Sequence, residues 1–567
     1  MFRARQYLVF IFLITLLLSL FFRLFYLQVL NFERFTELAS GQHNKVLKIE
    51  PRRGAIFDRY LEPLAINLDV PSVYCDPRNV KDPERTADVL VEVLGVDRDT
   101  VLERIKRDKV FVWIKRKIDP SEAEVLKKAD LNGIYFLTES KRSYGNDNMA
   151  SHVVGFVGID NNGLEGLELL FDEQLRGKPG WRHLVRDAKR RTVLFNEKES
   201  IPAQNGHNLV LTIDSVIQYI TEEELKKAVE KYNASSASAI VMDPFTGKIL
   251  AMANYPDYDL NEYSETPSDI MKNLAVMSVY EPGSVFKIVT ASAALEEGVV
   301  DLEEEIYCEN GEYKVGGRIL HDFHQYKDLP FREVVSKSSN IGTVKIAERL
   351  GKDKVYDYIE KFGFGEKTGI DLPGESGGIS RPPRVWSRSD ITTIPIGQGI
   401  AVTPLQMTCA MSVIANGGYF VRPYVVERIT TWEGETHKEF FTQGKRRLLS
   451  EETCEEMKDA LSHVVSSGTG RRASSKLFEV CGKTGTAQMV RPEGGYYENK
   501  YNATFVGFAP KENPVVTILV TARDPHPVHF GGSVAGPAFK KIAEGSIQYL
   551  GSGKTNKVKV LSKDEKQ

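Results

Sequence analysis

The sequence predicts an α+β fold carried on an N-terminal membrane segment, and three observations carry that expectation. Residues 7–22 form a nearly uninterrupted apolar run at the start of the chain. Residues 237–242 and 248–252 are strand-like and flank Asp243-Pro244-Phe245-Thr246-Gly247, a strong hairpin signal. A helical middle then gives way to strand-like runs at 504–508 and 515–520 and a closing helical pattern. Helix, hairpin, helices, strands and helix describe a sheet with helices segregated around it.

The apolar run comes first in the chain. Arg23 interrupts it, and residues 24–30 continue it. Residues 7–30 are long enough to span a hydrocarbon core of roughly 30 Å. Arg3 and Arg5 precede the run, so residues 1–6 are expected in the cytoplasm and the bulk of the chain outside. Arg23 is expected to snorkel to the outer interface. The run exceeds a signal-peptide core and no Ala-x-Ala-like site follows it closely, which favours an uncleaved anchor.

Residues 31–205 mix short strand-like runs (72–75, 110–114) with charged helical patterns (84–94, 121–128). The loop-like stretch Ile201-Pro202-Ala203-Gln204-Asn205-Gly206 sets the main boundary. After it, 209–213 reads as a strand. Asp214 can cap a helix carrying Ile217, Ile220, Leu225, Ala228 and Val229. Near the end, Pro537 suits the first turn of a helix with Phe539, Ile542 and Ile547. The second domain is therefore expected over 206–550, with a Gly-, Ser- and Lys-rich disordered tail at 551–567.

Composition narrows the function classes. The chain has 567 residues, 42% hydrophobic and 27% charged, with net charge -3, which is globular and leaves no basic footprint for nucleic acid. Its five cysteines are widely spaced with no Cys-x-x-Cys, so neither a zinc site nor a disulfide framework is expected, and the thiols read as buried small residues.

The chemistry lies in three short motifs. In Glu281-Pro282-Gly283-Ser284-Val285-Phe286-Lys287, proline and glycine punctuate the chain and an apolar helical pattern follows. Ser284 and Lys287 then share one face of the first turn, within mutual reach. A serine hydroxyl needs a base, and a neutral, desolvated lysine can serve. Alone the pattern is weak, since most Ser-x-x-Lys runs are surface pairs. Ser338-Ser339-Asn340 and Lys483-Thr484-Gly485-Thr486 follow in the order known for serine acyl-transfer enzymes that bind penicillin. Taken singly, Ser338 and Asn340 read as helix caps and Lys483 as a solvated strand lysine. Elsewhere, His321-Asp322-Phe323-His324 offers two histidines without a third ligand and reads as loop, so no metal is expected. His526 and His529, in a proline-punctuated loop, read as surface residues.

These motifs, with Gly397-Gln398-Gly399, Thr403-Pro404, Gly468-Thr469-Gly470 and Val506-Gly507-Phe508-Ala509-Pro510, resemble the class B penicillin-binding proteins. Residues 53–59 and 152–158 resemble that family's non-catalytic pedestal. The resemblance implies an antiparallel serine-transpeptidase fold at 206–550 on an elongated pedestal at 31–205, and no cofactor. It assigns Ser284 as nucleophile, Lys287 as base and Ser338 as proton relay. It assigns Asn340, Lys483, Thr484, Gly485 and Thr486 to substrate binding, with the backbone N–H groups of Ser284 and Thr486 as oxyanion hole. The implied reaction cross-links peptidoglycan stem peptides at a cytoplasmic membrane, with β-lactams as inhibitors. A membrane glycosyltransferase and other division proteins are the implied partners.

Glu-Pro-Gly before the serine and Ser-Ser-Asn-Ile-Gly look more like the division-associated FtsI and SpoVD type. No C-terminal penicillin-binding modules of the SpoVD type follow the last helix, which favours the FtsI-like form. The alternatives are an elongation-type enzyme, a carboxypeptidase, and a silent β-lactam sensor or scaffold. No Glu-x-x-Leu-Asn element follows Asn340, which disfavours a class A β-lactamase. Two pedestal positions depart from the family pattern. Tyr60-Leu61 stands where Asn-Gly is common, and Gly145 stands where proline commonly follows the tyrosine.

Overall fold

A computed structural model describes residues 2–34, 44–186, 192–315 and 317–552. All but the first two residues of the expected tail at 551–567 lie outside them. The chain forms two compact units, Met1–Arg53 with Arg176–Gly206, and Gly54–Leu175 with His207–Gln567.

In the first unit, helix α1 (Phe2–Phe25) continues through a single π turn, Tyr26–Leu30. Arg3–Leu30 is long and apolar enough to cross a membrane. A helix suits such a run because it satisfies its backbone polar groups internally. The same unit holds a three-stranded antiparallel sheet of Asn44–Ile49, Gly180–Arg186 and Thr192–Ile201.

The second unit begins with strands Ile56–Phe57, Pro63–Cys75, Val112–Lys115 and Ile134–Tyr144. The strand expected at 209–213 forms as Asn208–Leu211. It pairs in parallel with Ile56–Phe57 and antiparallel with Val426–Thr430. One sheet therefore joins strands from before and after the Pro202–Gly206 loop. A fully buried ion pair, Arg142 to Glu168 at 2.7 Å, lies beside it, and Arg142 also donates to the Gly54 carbonyl at 2.8 Å.

Helix α2 (Ser215–Tyr232) starts where Asp214 accepts from the Val216 and Ile217 amides, as the sequence predicts. The hairpin follows as β1 (Ser236–Met242) and β2 (Ile249–Tyr255). Asp243 Oδ1 closes its turn by accepting from the Phe245 and Thr246 amides. The helical middle contains α3 (Lys287–Glu296), α4 (Phe331–Ser336), α5 (Asn340–Leu350), α6 (Pro404–Ala415) and α7 (Glu451–Ser466). Strands β3 (Cys481–Val490), β4 (Tyr496–Ala509) and β5 (Val516–Arg523) complete an antiparallel sheet in the order β2-β1-β5-β4-β3, and α8 (Gly531–Gly551) closes the fold.

Both faces of this sheet are buried, so its strands are apolar at consecutive positions instead of alternating. Ala239, Val241, Phe505, Ile518 and Val520 face the core shared with α2 and α8. Val506, Phe508 and Leu519 join the core of the helical middle with α3 and α6. Strand β3 lies at the edge, with one side unpaired.

The closing helix differs from expectation. It starts at Gly531, so Pro537 is its seventh residue and sits inside it. The reason is close backbone approach. A Cβ on Gly531 would lie 2.2 Å from the Gly485 carbonyl oxygen, and one on Gly532 2.4 Å from that of Thr469. Gly531 and Gly532 leave the room that this close approach to the sheet needs.

Candidate active site

Ser284 lies in a 3-10 turn, Gly283–Phe286, that leads directly into α3. The turn is pressed onto β3. A Cβ on Gly485 would meet Val285 Cγ1 at 2.9 Å and the Pro282 carbonyl oxygen at 3.0 Å, so glycine at this strand position lets the serine turn approach. Gly283 N–H donates to the Gly397 carbonyl at 2.9 Å, which ties the Gly-Gln-Gly motif to the same turn.

Lys287 is buried at the start of α3. Its Nζ donates to the Ser338 carbonyl at 2.6 Å, to Asn340 Oδ1 at 2.8 Å and to Ser338 Oγ at 3.2 Å. Ser284 Oγ is not among its hydrogen-bond partners in the described residues. The lysine points across the cleft to the second motif, and Ser284 stays half-buried beside it.

Ser338 occupies the corner between α4 and α5 with φ 61°, a left-handed conformation unusual for serine. Two flanking contacts hold it there. Ser339 caps α5, accepting from Gly342 N at 2.9 Å. Asp322 in turn accepts from Ser339 Oγ at 2.6 Å and from the Ile341 amide at 3.1 Å. Asn340 Nδ2 donates to the His321 carbonyl at 3.0 Å, which leaves its oxygen aimed at Lys287.

Lys483, fully buried on β3, completes the cluster by donating to Ser338 Oγ at 2.9 Å. The two threonines of the same strand point the other way, because side chains alternate along a strand. Thr484 Oγ1 lies 2.7 Å from Thr469 Oγ1, and Thr486 Oγ1 accepts from the Gly531 amide at 3.0 Å. The Gly468-Thr469-Gly470 motif and the first turn of α8 therefore back the edge strand.

The electrostatics follow from burial. Desolvation lowers the Lys287 ammonium to about 7, with the Asp322 carboxylate opposing the shift. Desolvation also lowers Lys483 well below the usual lysine range, and the neighbouring charge of Lys287 lowers it further. Two cations sharing one hydroxyl cannot both keep their protons at low cost.

The sequence brought all three motifs to one place but missed Asp322. That residue lies between His321 and His324, and its carboxylate accepts from the first turn of α5. Of the two neighbouring histidines expected in a loop, His321 instead ends the strand Arg318–His321, and only His324 lies in the loop after it; among the described residues no group of three His, Cys, Asp or Glu side chains is placed to hold a metal. Phe323 was also missed. It is 78% exposed and packs edge-on to Phe530 at 5.7 Å, at the entrance to α8. All five cysteines are buried and unpaired, and burial raises the Cys481 thiol.

Comparison with known proteins agrees with this architecture. Residues 237–544 match the penicillin binding protein transpeptidase domain, and residues 48–211 the penicillin-binding protein dimerisation domain. Stage V sporulation protein D of Bacillus subtilis is 39% identical over 557 residues, 97% of this chain and 86% of that protein. The peptidoglycan D,D-transpeptidase FtsI of Escherichia coli is 32% identical over 538 residues, 93% of this chain and 89% of that protein. Among solved structures, penicillin binding protein 3 of Mycobacterium tuberculosis complexed with ampicillin superposes with TM-score 0.71 at 29% identity, covering 89% of this chain and 97% of that one. With both domains matched and this identity held along nearly its whole length, the chain belongs to the class B penicillin-binding proteins.

Proposed function

We propose that the chain is a serine D,D-transpeptidase that cross-links peptidoglycan stem peptides during septal wall synthesis. The observation that carries this reading is the convergence of three sequence-distant motifs on Ser338 Oγ, 3.2 Å from Lys287 and 2.9 Å from Lys483. Ser284 Oγ attacks the carbonyl carbon of the penultimate D-Ala, and neutral Lys287 takes its proton. The peptide C–N bond breaks, and the proton passes through Ser338 to the departing D-Ala amine. Lys483 receives the terminal carboxylate, whose charge favours the protonated form of this lysine and so helps Lys287 stay neutral. Asn340 and the β3 edge from Thr484 to Thr486 hold the peptide. The backbone N–H groups of Ser284 and Thr486 stabilise the oxyanion, each worth roughly 3–4 kcal/mol in the transition state. The amine of a second stem peptide then resolves the acyl-enzyme.

In this reading residues 31–205 are the pedestal and 206–550 the transpeptidase domain, with α1 as an uncleaved single-pass anchor that keeps both outside the cytoplasmic membrane. The division role rests on likeness to relatives named FtsI and stage V sporulation protein D. A fluorescent fusion at the septum supports that role, and dispersed lateral fluorescence overturns it in favour of an elongation-type enzyme. The nucleophile has its own test. Ser284→Ala is expected to abolish covalent labelling by a fluorescent penicillin, and labelling that persists at the wild-type level would remove Ser284 from the mechanism.

A further inference from the structure

A cavity of about 400 Å³ opens beside Ser278–Glu281, the segment that precedes the serine turn, within the range of small-ligand sites. One wall is the segment from Ser278 to Glu281, which runs on into Ser284. Another comes from the ends of the sheet: Gln488 on β3, Asn502 on β4 and Arg523 on β5. A smaller cavity shares Tyr280, Asn502 and Arg523 with it and reaches Ser238, whose fully buried Oγ has no hydrogen-bond partner among the described residues.

The charges in this groove differ in how they are used. Glu281 is engaged: it accepts from the Gly399 amide at 2.8 Å and from Tyr496 OH at 2.9 Å, and burial raises its carboxyl. Arg523 is exposed at the rim, and among the described residues its guanidinium has neither an ion pair nor a hydrogen bond. An unpaired arginine fork over a peptide-sized groove suits a carboxylate. The proposed reaction consumes two peptides. The first takes the β3 edge from Lys483 to Thr486, so the second needs a separate bed that leads to Ser284. The groove begins two residues further along β3, and its Ser278–Glu281 wall runs on in sequence, through Pro282, into the serine turn.

We infer that this groove receives the acceptor stem peptide, an acidic peptide with a free amine, and that Arg523 holds one of its carboxylates. The inference rests on the transpeptidase reading. In the step it serves, the acceptor nitrogen bonds to the acyl carbon and the ester C–O bond to Ser284 breaks. One amine proton passes by way of Lys287 to Ser284 Oγ.

The full chain in detergent can be supplied with a benzoyl-D-alanyl thioester as acyl donor and a synthetic stem tetrapeptide with a free side-chain amine as acceptor. Arg523→Glu is expected to raise the acceptor KM at least tenfold and to shift the acyl-enzyme from transfer towards hydrolysis. Fluorescent-penicillin acylation should stay within twofold of wild type, and Arg523→Lys should recover most of the acceptor affinity. An unchanged acceptor KM overturns the inference. So does a parallel loss of penicillin acylation, which would give the groove to the donor or to the fold. Wild-type protein that forms no acyl-enzyme at all would instead overturn the transpeptidase reading.

Discussion

Ser338 Oγ lies between two buried ammonium groups, 3.2 Å from Lys287 and 2.9 Å from Lys483. A base must be neutral, so acylation should fall about tenfold per pH unit below the Lys287 value of about 7 and level off above it. The second-order rate of penicillin acylation between pH 5 and 9 checks this; a flat profile would exclude Lys287 as the base. The same shift acts on stability. The folded value lies below the roughly 10.4 of an unfolded lysine, so between those limits the unfolded chain binds more protons and stability rises with pH. Lys287→Met lacks that rise. Its stability relative to wild type should therefore drop by roughly 2–4 kcal/mol from pH 6 to pH 10 in urea titrations. At this scale the Lys287 hydrogen bonds go to Ser338 and Asn340 instead of Ser284, but the meeting of the motifs was legible, since Lys287 and Lys483 converge on Ser338 Oγ. Asp322 was not, because an aspartate in a loop has the same local sequence whether it faces water or caps a helix 17 residues away.

Turns and helix ends were the most legible elements, since their signals are local. Asp214 caps α2, and Asp243 closes the β1–β2 turn where the sequence puts them. The start of α8 was not legible, because the carbonyls that require Gly531 and Gly532 belong to Gly485 and Thr469, distant in sequence. The turn after Ile56–Phe57 shows the same principle from the other side. Asp58 Oδ1 accepts from the Tyr60 and Glu62 amides, and Leu61 is left at φ 68° with 49% of its surface exposed. Left-handed backbone costs an L-residue roughly 1–2 kcal/mol, and the family's glycine avoids it. Leu61 buries little, so Leu61→Gly should stabilise the unit by about 0.5–1 kcal/mol after the added freedom of the unfolded chain is subtracted. A urea midpoint at or below wild type would mean that the leucine makes a compensating contact.

At the scale of the molecule, chemistry and attachment separate by unit. Every residue assigned to the reaction, with every hydrogen-bond partner named for it, lies in Gly54–Leu175 with His207–Gln567, whereas α1 belongs to the other unit. Removing residues 1–30 should therefore release the protein from membranes without touching the acylation step. The helix is apolar along a length that matches a bilayer of roughly 30 Å, so its loss removes the main hydrophobic attachment. The expected outcome has two parts. The truncated chain should sediment with the soluble fraction and react with fluorescent penicillin within twofold of the full-length rate. In cells it should fail to support septal cross-linking, because the transpeptidase domain is no longer held at the membrane. A truncated chain that stayed membrane-bound would point to a second attachment in the remaining residues. A tenfold loss of acylation would mean that the N-terminal unit shapes the site, and the separation of chemistry from anchoring would fail.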